Sequence, residues 1–144
     1  MDLSATIEID RPPNEVFSYV MNVAHDAHWR TGVVEAAFTS EGELRVGTTG
    51  YDKIDADGRE GVATWTVFEF EPDSHARWML DSGPIKGTGG YICDRSGNGT
   101  AFTLEAQVTP TGWYRLLGPV FGIIGRRQNE ADVLKLKGIL EQSA

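Results

Sequence analysis

The sequence has a single cysteine, Cys93, among its 144 residues. One thiol excludes an internal disulfide framework, so a hydrophobic core has to hold the fold together. A chain of this length buries about 68–70% of its unfolded surface, which is enough for such a core. We expect Cys93 to be a packed thiol in a reducing compartment, because a nucleophilic role would need a histidine close to it in space.

Basic residues are scarce: 13 Lys and Arg stand against 21 Asp and Glu, which gives a formal net charge of −8. This charge argues against non-specific nucleic-acid binding and against docking on anionic lipid. The one basic pair, Arg126-Arg127, is too small to change that expectation. We therefore expect no nucleic-acid partner.

Long apolar runs are missing as well. No segment approaches the ~18 apolar residues of a membrane-spanning helix, so integral membrane association is not expected. The start, Met1-Asp2-Leu3-Ser4, lacks the basic region and apolar core of a secretory signal. These absences predict a cytoplasmic protein. The length, with neither repeat nor linker, predicts one domain over residues 1–144.

Residues 5–21 predict a strand followed by a helix. Ala5, Ile7 and Ile9 alternate with polar residues, the period-two pattern of a half-buried strand. Pro12-Pro13 ends the strand, and the fixed φ of proline suits a first helical turn. Apolar residues then recur at helical spacing, at Val16, Phe17, Val20 and Met21. A shorter helical piece is predicted over residues 24–29.

From residue 33 onward the pattern favours strands joined by short turns. The predicted strands are 33–39, 45–54, 62–71, 76–80, 86–94 and 101–109. Turns rich in Gly, Asn and Asp join antiparallel neighbours, so these strands should form a meander. Glycines within them predict bends that curl the sheet, at Gly47, Gly50, Gly87, Gly89 and Gly90.

Two further patterns concern strand faces and the last helix. In strand 62–71, Trp65 and Val67 occupy one face and Phe68 and Phe70 the other, so both faces should be partly covered. A long helix is predicted over residues 113–141, kinked or split at Gly118-Pro119. The apolar band in its first part is wide. Either the core is larger there, or the inner face of the helix touches both sheet and cavity.

Several motifs span the whole chain. They are Ile7-x-Ile9 before Arg11-Pro12-Pro13-x-x-Val16-Phe17, Trp29-Arg30-x-Gly32-Val33-Val34-x-Ala36, Gly47-x-x-Gly50, Phe68-Glu69-Phe70-Glu71-Pro72, and Val133-x-x-Leu136-Lys137-x-x-Leu140-Glu141. Together they resemble the START-like or Bet v 1-like helix-grip superfamily, most closely its bacterial polyketide cyclase/dehydrase-type (SRPBCC) branch. The resemblance implies an α+β fold, in which a curved seven-stranded antiparallel sheet wraps around a long C-terminal helix. Two short helices would lie between the first and second strands.

The resemblance also implies a cavity between sheet and helix for an apolar or amphipathic ligand. The candidate ligand-binding residues are Trp29, Trp65, Trp78, Tyr91, Phe102, Leu104, Leu117, Phe121 and Ile124. Ordinary core packing is the alternative role for each of them. Trp65, Tyr91 and Phe121 are preferred as cavity wall because they come from the middle of a strand or helix.

Candidate chemistry is sparse. If the protein is an enzyme, Arg77, Tyr91 and Arg126 are the candidate catalytic residues, since an arginine can hold an enolate and a tyrosine can transfer a proton. The alternative for these polar groups is outward-facing surface. His25 and His28 share one helix face, but a zinc site needs three or four ligands. No metal and no cofactor are expected.

The favoured hypothesis is non-catalytic binding or transport of a small hydrophobic or amphipathic molecule. An aromatase/cyclase acting on a polyketide intermediate is the alternative, and a protein-interaction module using the same groove is a third possibility. Ligand identity and oligomeric state have no signature in the sequence.

Overall fold

The structure is a computed structural model that describes residues 1–56 and 58–142. Its strands are β1 (Ala5–Ile9), β2 (Val33–Phe38), β3 (Thr49–Ala56), β4 (Arg59–Glu71), β5 (His75–Ser82), β6 (Ile85–Ser96) and β7 (Gly99–Pro110). Its α-helices are α1 (Pro13–Met21), α2 (Asp26–Trp29) and α3 (Pro119–Gln142). Short 3₁₀ helices cover Val23–His25 and Gly112–Leu117.

Within the described residues, seven strands form one antiparallel sheet in the order β1-β7-β6-β5-β4-β3-β2. Strands β2 to β7 form the predicted meander, because short turns can join only antiparallel neighbours. The chain segment holding α1 and α2 carries β1 across to pair with β7. The predicted helix-grip α+β fold is confirmed.

The predicted strand 45–54 began too early. Residues 45–48 form a turn, in which the Thr48 N–H donates to the Arg45 carbonyl at 3.0 Å and Gly47 has a φ of +98°. A φ of this sign favours glycine. Gly47 therefore belongs to a turn rather than to a bend within a strand.

Strand β4 also corrects the sequence interpretation of its faces. The pairing with β5 shifts between Val67 and Glu69, which leaves Phe68 as the extra residue of a β-bulge. The bulge returns Phe70 to the face of Trp65 and Val67, where its ring packs against Phe17 at a centroid distance of 5.9 Å. Phe68 points outward and is 43% exposed. The prediction that Phe68 and Phe70 share a face is wrong.

The core lies between the concave face of the sheet and the helices. Trp29, Val16 and Phe102 are fully buried there, together with Leu136 from the second half of α3. The break predicted at Gly118-Pro119 is confirmed, since Gly118 has a φ of +53° and α3 begins at Pro119. The larger core proposed for the first part of the helix is wrong, because its aliphatic side chains are largely exposed.

Candidate functional site

A chain of aromatic rings crosses the concave face of the sheet. Ring centroids are 5.9 Å apart from Phe38 to Trp65, 6.5 Å from Trp65 to Trp78, and 4.7 Å from Trp78 to Tyr91. Trp29 of α2 packs on Tyr91 from above at 5.6 Å. These rings come from β2, β4, β5, β6 and α2, so only the folded sheet brings them together.

Two strand glycines make room for the indole rings. A Cβ atom on Gly50 would lie within 3.0 Å of the Trp65 ring, and one on Gly89 would lie 2.6 Å from Trp78 Nε1. Real Cβ atoms essentially never come so close. Gly50 and Gly89 therefore let the two indoles lie against neighbouring strands and form an apolar aromatic floor, in which the two indole planes are inclined by 50°.

A small cavity lies between this floor and the α1–α2 segment. Its free volume is about 30 Å³, which is room for about two water molecules. The residues that line it are Val20, Met21, Val23, Asp26, Arg30, Asp52, Trp65, Val67, Trp78 and Tyr91. Pockets for small molecules usually measure about 300–1,000 Å³. A ligand of that class fits only if the surrounding side chains or α1 move outward.

The polar side chains of the cavity converge on Arg30. Arg30 Nη1 donates a hydrogen bond to the Tyr91 hydroxyl at 3.0 Å, and Trp65 Nε1 donates to Asp52 Oδ1 at 3.1 Å. Asp26 Oδ1 and Arg30 Nε are buried without a hydrogen-bond partner among the described residues. Buried polar atoms are nearly always paired, so these two atoms are candidates for contacts with water or with a bound molecule.

Asp132 ties this cluster to α3. Its carboxylate accepts hydrogen bonds from the Thr31 N–H, at 3.0 Å, and from the Thr31 hydroxyl. Asp132 Oδ2 also lies 3.9 Å from Arg30 Nε, within ion-pair distance but beyond hydrogen-bond reach. The guanidinium is thereby held from two sides, by Tyr91 below and by Asp132 above.

Burial shifts the acidity of the cluster. It raises the pKa of Asp26 to about 7; the Arg30 charge opposes the shift and Asp52 adds to it. Burial also raises the pKa of Asp52 against the opposing effects of Arg30 and Trp65, and it raises the pKa of Tyr91. Near neutral pH, Asp26 is divided between acid and carboxylate. It can both accept and donate a proton.

The candidate ligand-binding residues fall into three groups. Trp65, Trp78 and Tyr91 line the cavity. A second group is buried behind it in the core, comprising Trp29, Phe102 and Leu104. The third group belongs to the 3₁₀ helix after β7 and to the start of α3, outside the cavity lining, and comprises Leu117, Phe121 and Ile124.

The candidate catalytic residues are separated in space. Tyr91 lines the cavity, whereas Arg77 pairs with Glu69 and, through Nε at 3.0 Å, with Glu105 on the opposite face of the sheet. Arg126 is exposed and donates to the Asp2 carbonyl at 3.0 Å. The separation of Tyr91 from Arg77 follows from strand alternation, which sends neighbouring side chains to opposite faces.

The histidine pair lies apart from the cavity. The His25 and His28 rings are 6.0 Å apart, and His25 Nδ1 lies 3.0 Å from the Tyr19 carbonyl. Across residues 1–56 and 58–142, no group of three or more His, Cys, Asp or Glu side chains is placed to hold a metal ion.

Sequence reasoning missed Asp26, Arg30 and Asp52. Asp26 and Arg30 are four residues apart around the short helix α2, a spacing that puts them on one face. Gly50, Asp52 and Ile54 are alternate residues of β3 and therefore lie on one face of the strand, the face that points into the fold. A single carboxylate among the inward-facing residues of a strand is unusual, and this feature could have identified Asp52 from the sequence.

Comparison with known proteins assigns the chain to a family. A family model described as "Polyketide cyclase / dehydrase and lipid transport" matches residues 1–141. The chain belongs to this family. No match was found among curated protein sequences. No helix in the described part of the chain is long and apolar enough to cross a membrane.

Solved structures show how widely the family fold is shared. Protein TTHA0849 of Thermus thermophilus is 16% identical, with a TM-score of 0.83 and 100% coverage of both chains. The Zhui aromatase/cyclase of Streptomyces sp. R1128 is 14% identical, with a TM-score of 0.78 over 99% of this chain and 94% of that one. A START superfamily protein of Mycobacterium smegmatis is 18% identical, with a TM-score of 0.77 and 99% coverage of both. At these identities the likeness establishes the fold alone.

Proposed function

We propose that the protein binds a small amphipathic molecule non-covalently, with its apolar body on Trp65 and Trp78 and its polar end at Asp26 and Arg30. The observation that carries this proposal is the pair of unpaired buried atoms, Asp26 Oδ1 and Arg30 Nε, beside an aromatic floor. A family that includes lipid transport supports it.

The cluster favours a particular kind of polar end. Arg30 offers N–H donors, and Asp26 with a pKa of about 7 offers either a donor or an acceptor. A hydroxyl or carbonyl group on the ligand can satisfy both residues. The aromatic floor favours a ring-containing body, and each Å² of apolar surface buried there adds roughly 25 cal/mol of affinity.

A binding assay with matched variants tests the proposal. Native mass spectrometry and tryptophan fluorescence would follow a panel of fatty acids, sterols and fused-ring phenols. At least one class should bind, and Trp78→Ala should weaken that binding about tenfold or more. Met79→Ala is the control, since Met79 is 51% exposed and neighbours Trp78 on the other face of β5. Equal affinity in both variants, or no binding across the panel, would overturn the proposal.

A second candidate function is ring closure of a poly-β-ketone, and the raised pKa of Asp26 favours it. Asp26 would remove a proton from the carbon next to a carbonyl, and Arg30 would stabilise the resulting enolate oxygen. The enolate carbon would then bond to a second carbonyl carbon of the same molecule, whose C=O π bond breaks and whose oxygen takes the proton back from Asp26. In a reconstituted cyclisation assay, Asp26→Asn should retain ligand binding and lose ring formation about 100-fold or more. An unchanged product profile would exclude this function and leave binding intact.

A further inference from the structure

The segment of residues 112–127 differs in composition from the rest of the chain. It contains three arginines and no Asp or Glu, although the whole chain has a net charge of −8. Most of its other residues are apolar or glycine. A basic, apolar stretch in an acidic protein marks a local surface that the net charge conceals.

The aliphatic side chains of this segment point outward. Leu116 is 86% exposed, Val120 50%, Ile123 51% and Ile124 55%. Val120, Ile123 and Ile124 are three and four residues apart, so they share one side of α3. Arg127 follows Ile123 by four residues and extends the same side. Single exposed aliphatic residues are ordinary, but Val120, Ile123 and Ile124 on one side of a helix form an apolar patch.

The segment is held at both ends by the residues that flank it, and its glycine side lies against the N-terminal residues. The Thr111 N–H and hydroxyl both donate to the Pro84 carbonyl, at 3.0 and 2.7 Å. Asn129 Nδ2 donates to the Leu3 carbonyl at 2.8 Å, and Gly125 lies against the Leu3 side chain. An amphipathic helix normally packs its large apolar residues against the rest of the fold. Here a glycine occupies that side, and the large apolar residues face outward.

Charge decides which partner suits this patch. A twofold dimer would apply the same patch to itself and bring two sets of three arginines together. A lipid surface with anionic headgroups instead offers negative charge beside an apolar medium. We propose that segment 112–127 docks the protein on anionic membranes, with the exposed aliphatic side chains among the headgroups and Arg115 and Arg127 against phosphates. The sequence-based expectation against anionic lipid rested on net charge, which averages over this local surface.

Co-sedimentation with vesicles tests the proposal, using phosphatidylcholine alone and phosphatidylcholine mixed with phosphatidylglycerol. The full chain should bind the mixed vesicles, and added salt should weaken binding. Each arginine near an anionic surface strengthens binding about fivefold, so Arg115→Gln/Arg127→Gln should lose about 25-fold. Ile123→Ser should also bind more weakly. Leu134→Ser is the control, since Leu134 is 61% exposed on the same helix but outside the segment.

Three outcomes would overturn the proposal. They are absence of binding to mixed vesicles, equal binding to both vesicle types, and concentration-dependent self-association that Ile123→Ser abolishes. The last would assign the patch to a second copy of the chain. Membrane docking does not depend on the proposed ligand, so Trp78→Ala should still bind mixed vesicles. Either proposal can therefore fail without contradicting the other.

Discussion

The two halves of α3 use the same residue types in opposite ways. In residues 129–142, Val133, Leu136 and Leu140 are buried, with exposures of 2%, 0% and 8%. In residues 119–128, Ile123 and Ile124 are about half exposed, at 51% and 55%. The second half packs on the core, whereas the first half meets the sheet through glycine.

This difference shows that helical periodicity predicts an apolar stripe but not what covers it. Around Gly122 and Gly125 the nearest neighbours of the helix are Met1 and Leu3. A Cβ on Gly125 would lie 2.7 Å from Leu3 Cδ1, so the helix approaches residue 3 most closely at this glycine, while the aliphatic residues of the first half lie on its other sides. One half of the helix therefore anchors the fold, and the other half leaves an apolar surface uncovered.

The largest expected effect comes from truncating the anchoring half. Leu136→Ala should lower the free energy of unfolding by about 2–5 kcal/mol, because it opens a cavity in the core. Ile124→Ala in the other half should change it by less than about 0.5 kcal/mol. Urea unfolding measures both. Equal losses would mean that the two halves contribute alike to stability.

The polar link between α3 and the cavity should rank next. Asp132→Ala leaves the Thr31 N–H and hydroxyl without their acceptor and the Arg30 guanidinium without its ion-pair partner, which should cost about 2–4 kcal/mol. Asp132→Asn keeps one acceptor oxygen and should lose less. Urea unfolding would again give the values. A loss below about 0.5 kcal/mol in Asp132→Ala would show that the anchoring half holds by apolar packing alone.

Asp26 should make stability fall as pH rises. Its pKa is about 7 in the folded protein against an ordinary value of 3.8, so the folded state keeps a proton that the unfolded chain loses between those values. The stability contributed by the neutral acid is complete below about pH 4 and lost as pH passes 7. Asp26→Asn removes this loss.

Thermal unfolding at pH 4 and pH 8 measures that change. Relative to wild type, Asp26→Asn should be about 3–4 kcal/mol more stable at pH 8 than at pH 4, since the pKa rises from 3.8 to about 7 and each unit corresponds to about 1.4 kcal/mol. Asp55→Asn is the control, because Asp55 is exposed, and its stability should differ from that of wild type by the same amount at pH 4 and pH 8. If the stability difference between Asp26→Asn and wild type were the same at both pH values, the prediction that Asp26 makes stability depend on pH would be wrong.

The smallest effect compares one glycine from each half of α3. A Cβ on Gly138 would meet nothing within 4 Å, so Gly138→Ala should raise stability by about 0.5–1 kcal/mol through helix propensity. A Cβ on Gly125 would lie 2.7 Å from Leu3 Cδ1, which should cancel that gain. Melting temperatures would distinguish the two. A similar gain at both positions would contradict the close approach of the first half to the Leu3 side chain.

Much of the fold could be predicted because its signals are local. Alternation in β1, the proline pair before α1 and the Gly118-Pro119 break depend on a few adjacent residues, and the structure agrees with each. The bulge at Phe68 could not be predicted in the same way. It depends on pairing with β5, and one extra residue exchanges the faces of those that follow.

The candidate site was predicted only in part for a similar reason. Trp65, Trp78 and Tyr91 were identified as large aromatic residues in strands, and they line the cavity. Arg77 belongs to the same strand as Trp78, but strand alternation turns it to the other face, where Glu69 and Glu105 bind it. Asp26 could not be predicted, because a carboxylate in a short helix has no local sign that the sheet will bury it.

By itself, the sequence determined the order of strands and helices, because strand alternation, turn residues and the proline break are encoded in neighbouring residues. Tertiary structure alone decided that Asp26, Arg30, Asp52 and Tyr91 meet in one cavity, since they come from α2 and its C-cap, β3 and β6. It also decided which half of α3 is covered. Burial raises a pKa or hides an apolar stripe only when distant parts of the chain pack against it, and that packing has no local signature.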